Sequence, residues 1–193
     1  MESVAEREAQ SAKVPRLDLV PLAPAHAAAL HPLLDDWAVA KMLARVPCPI
    51  ALEDVAAFAA KRREDTGETA FALLADGAPI GVGGVKHPGS GETPRRMPRL
   101  GYWIGRRYWG LGYGTEAVAA LTALAFDLFP EADLAGAGVF LDNPASRRVL
   151  EKVGFQEAGR YETPSLSRGA AIPTADMHLA RARWAASEWA ARR

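Results

Sequence analysis

The run from residue 100 to residue 129 constrains the fold more than any other. An apolar stretch, Leu100-Gly101-Tyr102-Trp103-Ile104, leads through Gly105 into Arg107-Tyr108-Trp109-Gly110-Leu111-Gly112-Tyr113-Gly114-Thr115. After it, Ala117, Val118, Leu121, Leu124, Ala125 and Leu128 recur with a 3.6-residue period over residues 115–129, and Pro130 ends the pattern. A strand, a bare turn and a long helix are therefore expected in that order. Alternate glycines remove the Cβ atoms that would hold a ligand away from the main chain, and a helix begins with N–H groups that have no intrahelical partner. Such a turn favours a phosphate or pyrophosphate.

The neighbours of this unit exclude a doubly wound parallel sheet. Residues 69–75 and 79–85 are apolar runs joined by Asp76-Gly77-Ala78, a connection of hairpin length, and residues 99–105 resume as a third strand. Upstream, residues 16–20 read as a short strand. Residues 25–37 read as two short helices divided at Pro32, and residues 52–64 as an amphipathic helix. Downstream come a strand at 134–141, a helix at 145–152 started by Asn143-Pro144, and Gly154 as its C-terminal glycine. Strands at 155–161 and 174–182 and a closing helix at 184–191 complete the order. Hairpins in the middle and helical crossovers later imply an α+β fold with a mixed, mostly antiparallel sheet flanked by helices. Residues 1–14 are expected to be a flexible polar lead and residues 15–193 a single domain.

Composition narrows the function. Lys plus Arg and Asp plus Glu each number 23, so no net field argues for a nucleic-acid or membrane partner. The single cysteine, Cys48, makes no intrachain disulfide, and no apolar run approaches the ~20 residues that span a bilayer, so a cytoplasmic protein is expected. His26, His31, His87 and His178 have no metal-ligand spacing with one another or with Cys48, and no metal is expected. Thr115 stands where a dinucleotide fingerprint needs its third glycine, which excludes a nicotinamide site. Trp103 and Trp109 read as packing residues, and Tyr108 and Tyr113 as alternatives to line a ligand channel. The Lys61-Arg62-Arg63 cluster reads as a solvated helix face beside Glu64 and Asp65. Arg95, Arg96 and Arg99 read as a solvated loop or as an attractor for an acidic ligand.

Three blocks in sequence resemble the GCN5-related N-acetyltransferases, and within them the RimJ/RimL-like branch of ribosomal-protein-serine/alanine N-acetyltransferases. They are residues 100–105, Arg107-x-x-Gly110-x-Gly112 with Tyr113-Gly114-Thr115-Glu116-Ala117, and Asn143-Pro144-Ala145-Ser146 followed by Leu150-Glu151-Lys152-Val153-Gly154-Phe155. The resemblance implies a sheet of about seven strands with a splayed central pair. It also implies acetyl transfer from acetyl-CoA, with CoA as product, to a primary amine on a protein N-terminus or a small molecule, within a ternary complex. The implied donor-binding residues are Trp103, Ile104, Gly105, Arg107, Gly110, Leu111, Gly112, Tyr113, Gly114, Thr115, Asn143 and Ser146. Many relatives carry a glutamate at the position of Arg99 and a tyrosine at that of Leu150, so Ser146 is the expected general acid. An ordered water is the expected base, with Glu68 or His87 as helpers. Acceptor specificity is assigned to residues 34–49 and 162–174. Trp37, Met42, Leu43 and Val46 form the apolar wall, and Tyr102 belongs to the acceptor pocket. A monomer or homodimer is implied. The alternative is a catalytically weak acyl-CoA-binding module that serves regulation.

Overall fold

The computed structural model describes residues 12–14, 16–61, 67–90 and 97–191. Its strands are β1 (Ala12–Val14), β2 (Leu17–Pro21), β3 (Glu68–Ala75), β4 (Ala78–Lys86), β5 (Arg99–Ile104), β6 (Leu134–Phe140), β7 (Gln156–Ser165) and β8 (Ala170–Ala180). Its α-helices are α1 (Ala27–Leu34), α2 (Trp37–Ala40), α3 (Leu52–Ala60), α4 (Tyr113–Leu128), α5 (Pro144–Val153), α6 (Arg181–Ala185) and α7 (Glu188–Ala191). The strands form one sheet in the order β1-β2-β3-β4-β5-β6-β8-β7. Seven are the mixed, mostly antiparallel set expected of the fold, and β1 adds a three-residue edge by pairing with β2.

Every neighbouring pair is antiparallel except β5 with β6, and that exception shapes the molecule. The hairpin β3–β4 places β4 against β5 along its whole length, from Lys86↔Arg99 to Gly81↔Ile104. The crossover through α4 returns the chain parallel to β5, as a helical connection requires. Only two positions pair there, Arg99↔Gly136 and Leu100↔Ala137. Past Leu100 the two strands part. The β6-facing polar groups of residues 101–103 and the β5-facing groups of residues 138–140 then have no ladder partner.

Alternation along the strands sorts side chains between two layers. Leu100, Ile104, Ala137, Val139, Ala175, Met177 and Leu179 face α4, whose Ala117, Val118, Leu121, Ala125 and Phe126 bury against them. Burying one such leucine stabilises the fold by roughly 1.5–3 kcal/mol, so this layer anchors α4 and the turn before it. On the opposite face, Ala27, Leu30, Leu34, Val39 and Val55 from α1, α2 and α3 pack with Val82 and Trp103.

Several local boundaries differ from expectation. Helix α1 runs through Pro32, because Leu30, Leu33 and Leu34 are buried and hold its last turn. Helix α3 stops at Ala60, with Lys61 extended, and residues 62–66 lie outside the described residues. The closing helix is two short ones, α6 and α7, separated by Ala186 and Ser187. Residues 162–174 form the ends of β7 and β8 around a turn, where a long loop was expected.

Candidate active site

The glycine turn stands at the mouth of the fork between β5 and β6. After Ile104 the chain makes a 3-10 turn at Arg106–Tyr108, and the Trp109 indole N–H donates to the Ile104 carbonyl at 2.7 Å, folding the turn back on its strand. Gly110 (φ 77°) and Gly112 (φ 92°) both require the left-handed region, which a residue with a Cβ rarely adopts. Gly112 is the N-cap of α4. Its carbonyl accepts from the Thr115 and Glu116 amides at 3.0 and 3.3 Å. The amides of Tyr113 and Gly114, first in the helix, have no intrahelical carbonyl to reach. Leu111 and Trp109 are exposed, and the Arg107 guanidinium lies 4.8 Å from the centre of the Tyr108 ring.

Arg16, just before β2, also reaches this turn and carried no motif to announce it. Its Nε donates to Glu116 Oε1 at 2.7 Å, Nη2 contacts the same oxygen, and its guanidinium lies 5.0 Å over the Tyr113 ring. A Cβ at Gly112 would come within 2.7 Å of Nη2. Glu116 holds the guanidinium above its pKa in free solution, and the carboxylate suits the first turn of a helix.

A second cluster lies on the α4 side of the fork. Asn143 caps α5, accepting from the Ser146 amide at 3.0 Å, with Pro144 next in the helix. That cap turns the Ser146 hydroxyl toward β5, where it lies 3.1 Å from Tyr102 Oη. The Tyr102 ring also packs on Gly114, whose Cβ would stand 3.6 Å from Cε2. The residue is half-buried, and burial pushes the phenol pKa up to about 12, with the Ser146 hydrogen bond opposing the rise. The phenol is therefore a neutral hydrogen-bonding group at ordinary pH. Leu150, also on α5, is fully buried in the core.

Tyr102 thus sits with Ser146 and Gly114, on the other face of β5 from Trp103 and apart from Trp37 and Met42. Trp103 packs against the buried cluster of α1, α2 and α3, as do Leu43 and Val46. Trp37 is 51% exposed and Met42 half-buried. The two segments expected to face an acceptor do meet. The turn after β7 docks on residues 40–44, with the Leu166 amide donating to Ala44 O at 2.9 Å and the Ser167 hydroxyl to Ala40 O at 3.1 Å. Arg168 pairs with Asp142 at 2.8 Å, tying the same turn to the end of β6.

Of the two helpers named for a base, His87 faces the α4 layer, hydrogen-bonded to Thr69 Oγ1 at 2.8 Å and edge-on to Phe129. Glu68 reaches the opposite face and pairs with Arg45 at 2.9 Å. Arg99 is a strand residue with an ion pair to Asp176, and the solvated-loop reading does not hold for it; Arg95 and Arg96 lie outside the described residues.

Residues 16–156 match the family model described as Acetyltransferase (GNAT) domain. The chain belongs to the GNAT acetyltransferase family. Within this family it is 36% identical over 64 residues to YoaA of Bacillus subtilis (strain 168), described as an uncharacterised N-acetyltransferase. That match covers 33% of this chain and only 36% of YoaA. The GNAT fold is shared with AAC(6')-Ib, solved in complex with ribostamycin and coenzyme A (TM-score 0.76, 21% identity, 90% of this chain and 98% of that one). It is shared too with a GNAT-family acetyltransferase from Bacillus anthracis (TM-score 0.73, 20% identity, 89% and 98%).

Proposed function

We propose that this GNAT domain transfers an acetyl group from acetyl-CoA to a primary amine by direct attack in a ternary complex. The observation that carries the reading is the fork: β5 and β6 separate beside a glycine turn that opens onto the N-terminus of α4. The residues fit the donor. The φ values of Gly110 and Gly112 keep Cβ atoms off the turn, so the amides of Leu111, Gly112, Tyr113 and Gly114 can surround a pyrophosphate, with Arg107 and Thr115 at its edge. The fork-facing main-chain groups beside Trp103, those of Tyr102 and the N–H of Ile104, suit the amides of a pantetheine arm, while the Ile104 carbonyl and the Gly105 N–H are engaged by Trp109 and Ile80; Asn143 serves the arm while capping α5. Coenzyme A in the AAC(6')-Ib complex accords with this assignment.

Acetyl-CoA supplies an activated thioester. The amine nitrogen forms the new C–N bond, the C–S bond breaks with its electron pair going to sulfur, and the nitrogen loses a proton to an ordered water. Ser146 gives its hydroxyl proton to the thiolate and is reprotonated through solvent by the proton that the water took from the amine, and Tyr102 holds the serine hydroxyl in place. Free β5 amides at the fork can stabilise charge developing on the carbonyl oxygen. The acceptor enters from the α1 side, beside the wall of residues 37–46 and the turn after β7 that is docked on it. A protein N-terminus, as in the RimJ/RimL-like branch, and a small amine both fit this direction.

An acceptor screen that reads free thiol tests the proposal, with peptide amines, amino acids, polyamines and aminoglycosides in one assay. Amine-dependent thiol release is expected. Calorimetric binding of acetyl-CoA with no thiol release across the panel would favour an acyl-CoA-binding module, and failure to bind any CoA thioester would sink both readings.

A further inference from the structure

The face of the sheet turned away from α4 carries a trough that the donor site does not use. Its floor is a row of glycines on three strands. Gly84 of β4 stands opposite Gly101 of β5, and Gly138 of β6 follows the last β5–β6 pair, Leu100↔Ala137, on the same face across the opening fork. A Cβ at Gly101 would meet nothing within 4 Å, so the middle of the floor is open. Side chains close the ends. The Glu68 carboxylate lies over Gly84, and the Tyr161 hydroxyl over Gly138.

Arg99 occupies the root of the fork on this same face. Its Nη1 lies 2.8 Å from Asp176 Oδ1, and its Nη2 donates to Tyr161 Oη at 3.2 Å. Asp176 Oδ2 is paired in turn with His178 Nε2 at 3.0 Å. Gly136 and Gly138 make this arrangement possible, because a Cβ at Gly136 would stand 3.2 Å from Arg99 Nη1. The guanidinium is thus fixed by a carboxylate and a phenol, with further N–H donors left over from its five. Its side chain is 17% exposed, enough for a ligand atom to reach it.

We propose that this trough is the acceptor subsite and that Arg99 receives a carbonyl or carboxylate oxygen next to the acceptor's amine. The inference rests on the acetyl-transfer reading for the direction of attack. With the phosphate anchor at the N-terminus of α4, the amine must approach the fork from the other face, and there it meets a fixed cation. A bare amine offers no acceptor oxygen and leaves the remaining guanidinium donors unused. An amine flanked by an oxygen finds there a directed N–H donor that Asp176 and Tyr161 hold in place. The acceptor class is therefore an α-amino carbonyl compound, such as an amino acid, its amide or a peptide N-terminus, in preference to a polyamine.

Two variants and one matched pair of acceptors test this. Phenylalaninamide and phenethylamine differ in the carbonyl. Wild type should use the amide roughly ten- to a hundredfold better in kcat/KM, the range of a hydrogen bond to a charged group, and Arg99→Gln should bring the two within about threefold. Gly101→Ala adds a methyl group where the structure has open space, so the fold is unaffected while the trough is partly filled. It should raise the acceptor KM by roughly tenfold or more and leave the KM for acetyl-CoA unchanged. Calorimetry of both acceptors on CoA-loaded protein reads the same preference without turnover. Arg99-dependent amide binding without thiol release would keep the subsite and refute acetyl transfer. Equal use or binding of the two acceptors by wild type, or an unchanged acceptor KM in Gly101→Ala, would overturn the subsite.

Discussion

The hydrogen bond between Ser146 and Tyr102 has ends that differ in their access to water, so cutting it from either side should have unequal costs. Ser146→Ala removes the hydroxyl but keeps the amide bond to Asn143 Oδ1, so the α5 cap survives. The Tyr102 hydroxyl is then stranded among protein atoms, at a cost of about 1–2 kcal/mol. Tyr102→Phe strands only the Ser146 hydroxyl, which is half-buried and within reach of solvent, and should cost about 0.5–1 kcal/mol. The double variant strands nothing. Adding Tyr102→Phe to Ser146→Ala should therefore recover stability, where independent sites would lose more. Urea unfolding of the four proteins at neutral pH reads the cycle. Activity separates the second role: a general acid contributes roughly 10²–10⁴-fold, and a thiol is an acidic leaving group, so Ser146→Ala should lower kcat about a hundredfold at saturating acetyl-CoA. Strictly additive destabilisation would refute the hydrogen bond. Unchanged kcat would refute the proton donor.

Three other outcomes are expected. Gly112→Ala should lose about 1–2 kcal/mol of stability from its φ of 92° and also raise the KM for acetyl-CoA, because its Cβ would enter the turn beside Arg16; unchanged KM would show that the turn does not hold the donor. Asn143→Ala should lose about 1 kcal/mol in the same unfolding assay, the usual value of an N-cap, and loosen donor binding with it. In an alkaline titration followed by tyrosinate absorbance, Tyr102 should ionise near pH 12, in a step that Tyr102→Phe removes. Its folded pKa lies above the unfolded value of about 10, so its contribution to stability is complete below pH ~10 and is lost as pH rises towards 12, a slope that Tyr102→Phe should remove.

The strand–glycine–helix unit was legible because each part of it obeys a local rule: apolar alternation, φ that only glycine tolerates, and an uncapped helix start. The hairpin and the Asn143 cap were legible for the same reason. What the sequence could not convey depends on which face a side chain takes and on partners far along the chain. Tyr102 and Trp103 are neighbours in sequence, yet alternation sends one to Ser146 and the other to the α1 cluster. Arg99 looked like part of a basic loop because its partner, Asp176, lies two strands away across Gly136 and Gly138. Arg16 had no motif at all, and only the sheet brings it to Glu116. Pro32 was read as a break by its missing N–H, and three buried leucines outweighed that loss.

The central claim is that the turn and the fork together hold a CoA thioester, and amide chemical shifts on titration with CoA test it residue by residue. The account predicts shifts concentrated at Leu111, Gly112, Tyr113 and Gly114 and along residues 101–105, with Asn143 and Ser146 following and the Arg181–Ala185 helix unmoved. Saturable binding whose shifts avoid the glycine turn, or no binding at millimolar CoA, about the weakest affinity expected of a specific site, would contradict it.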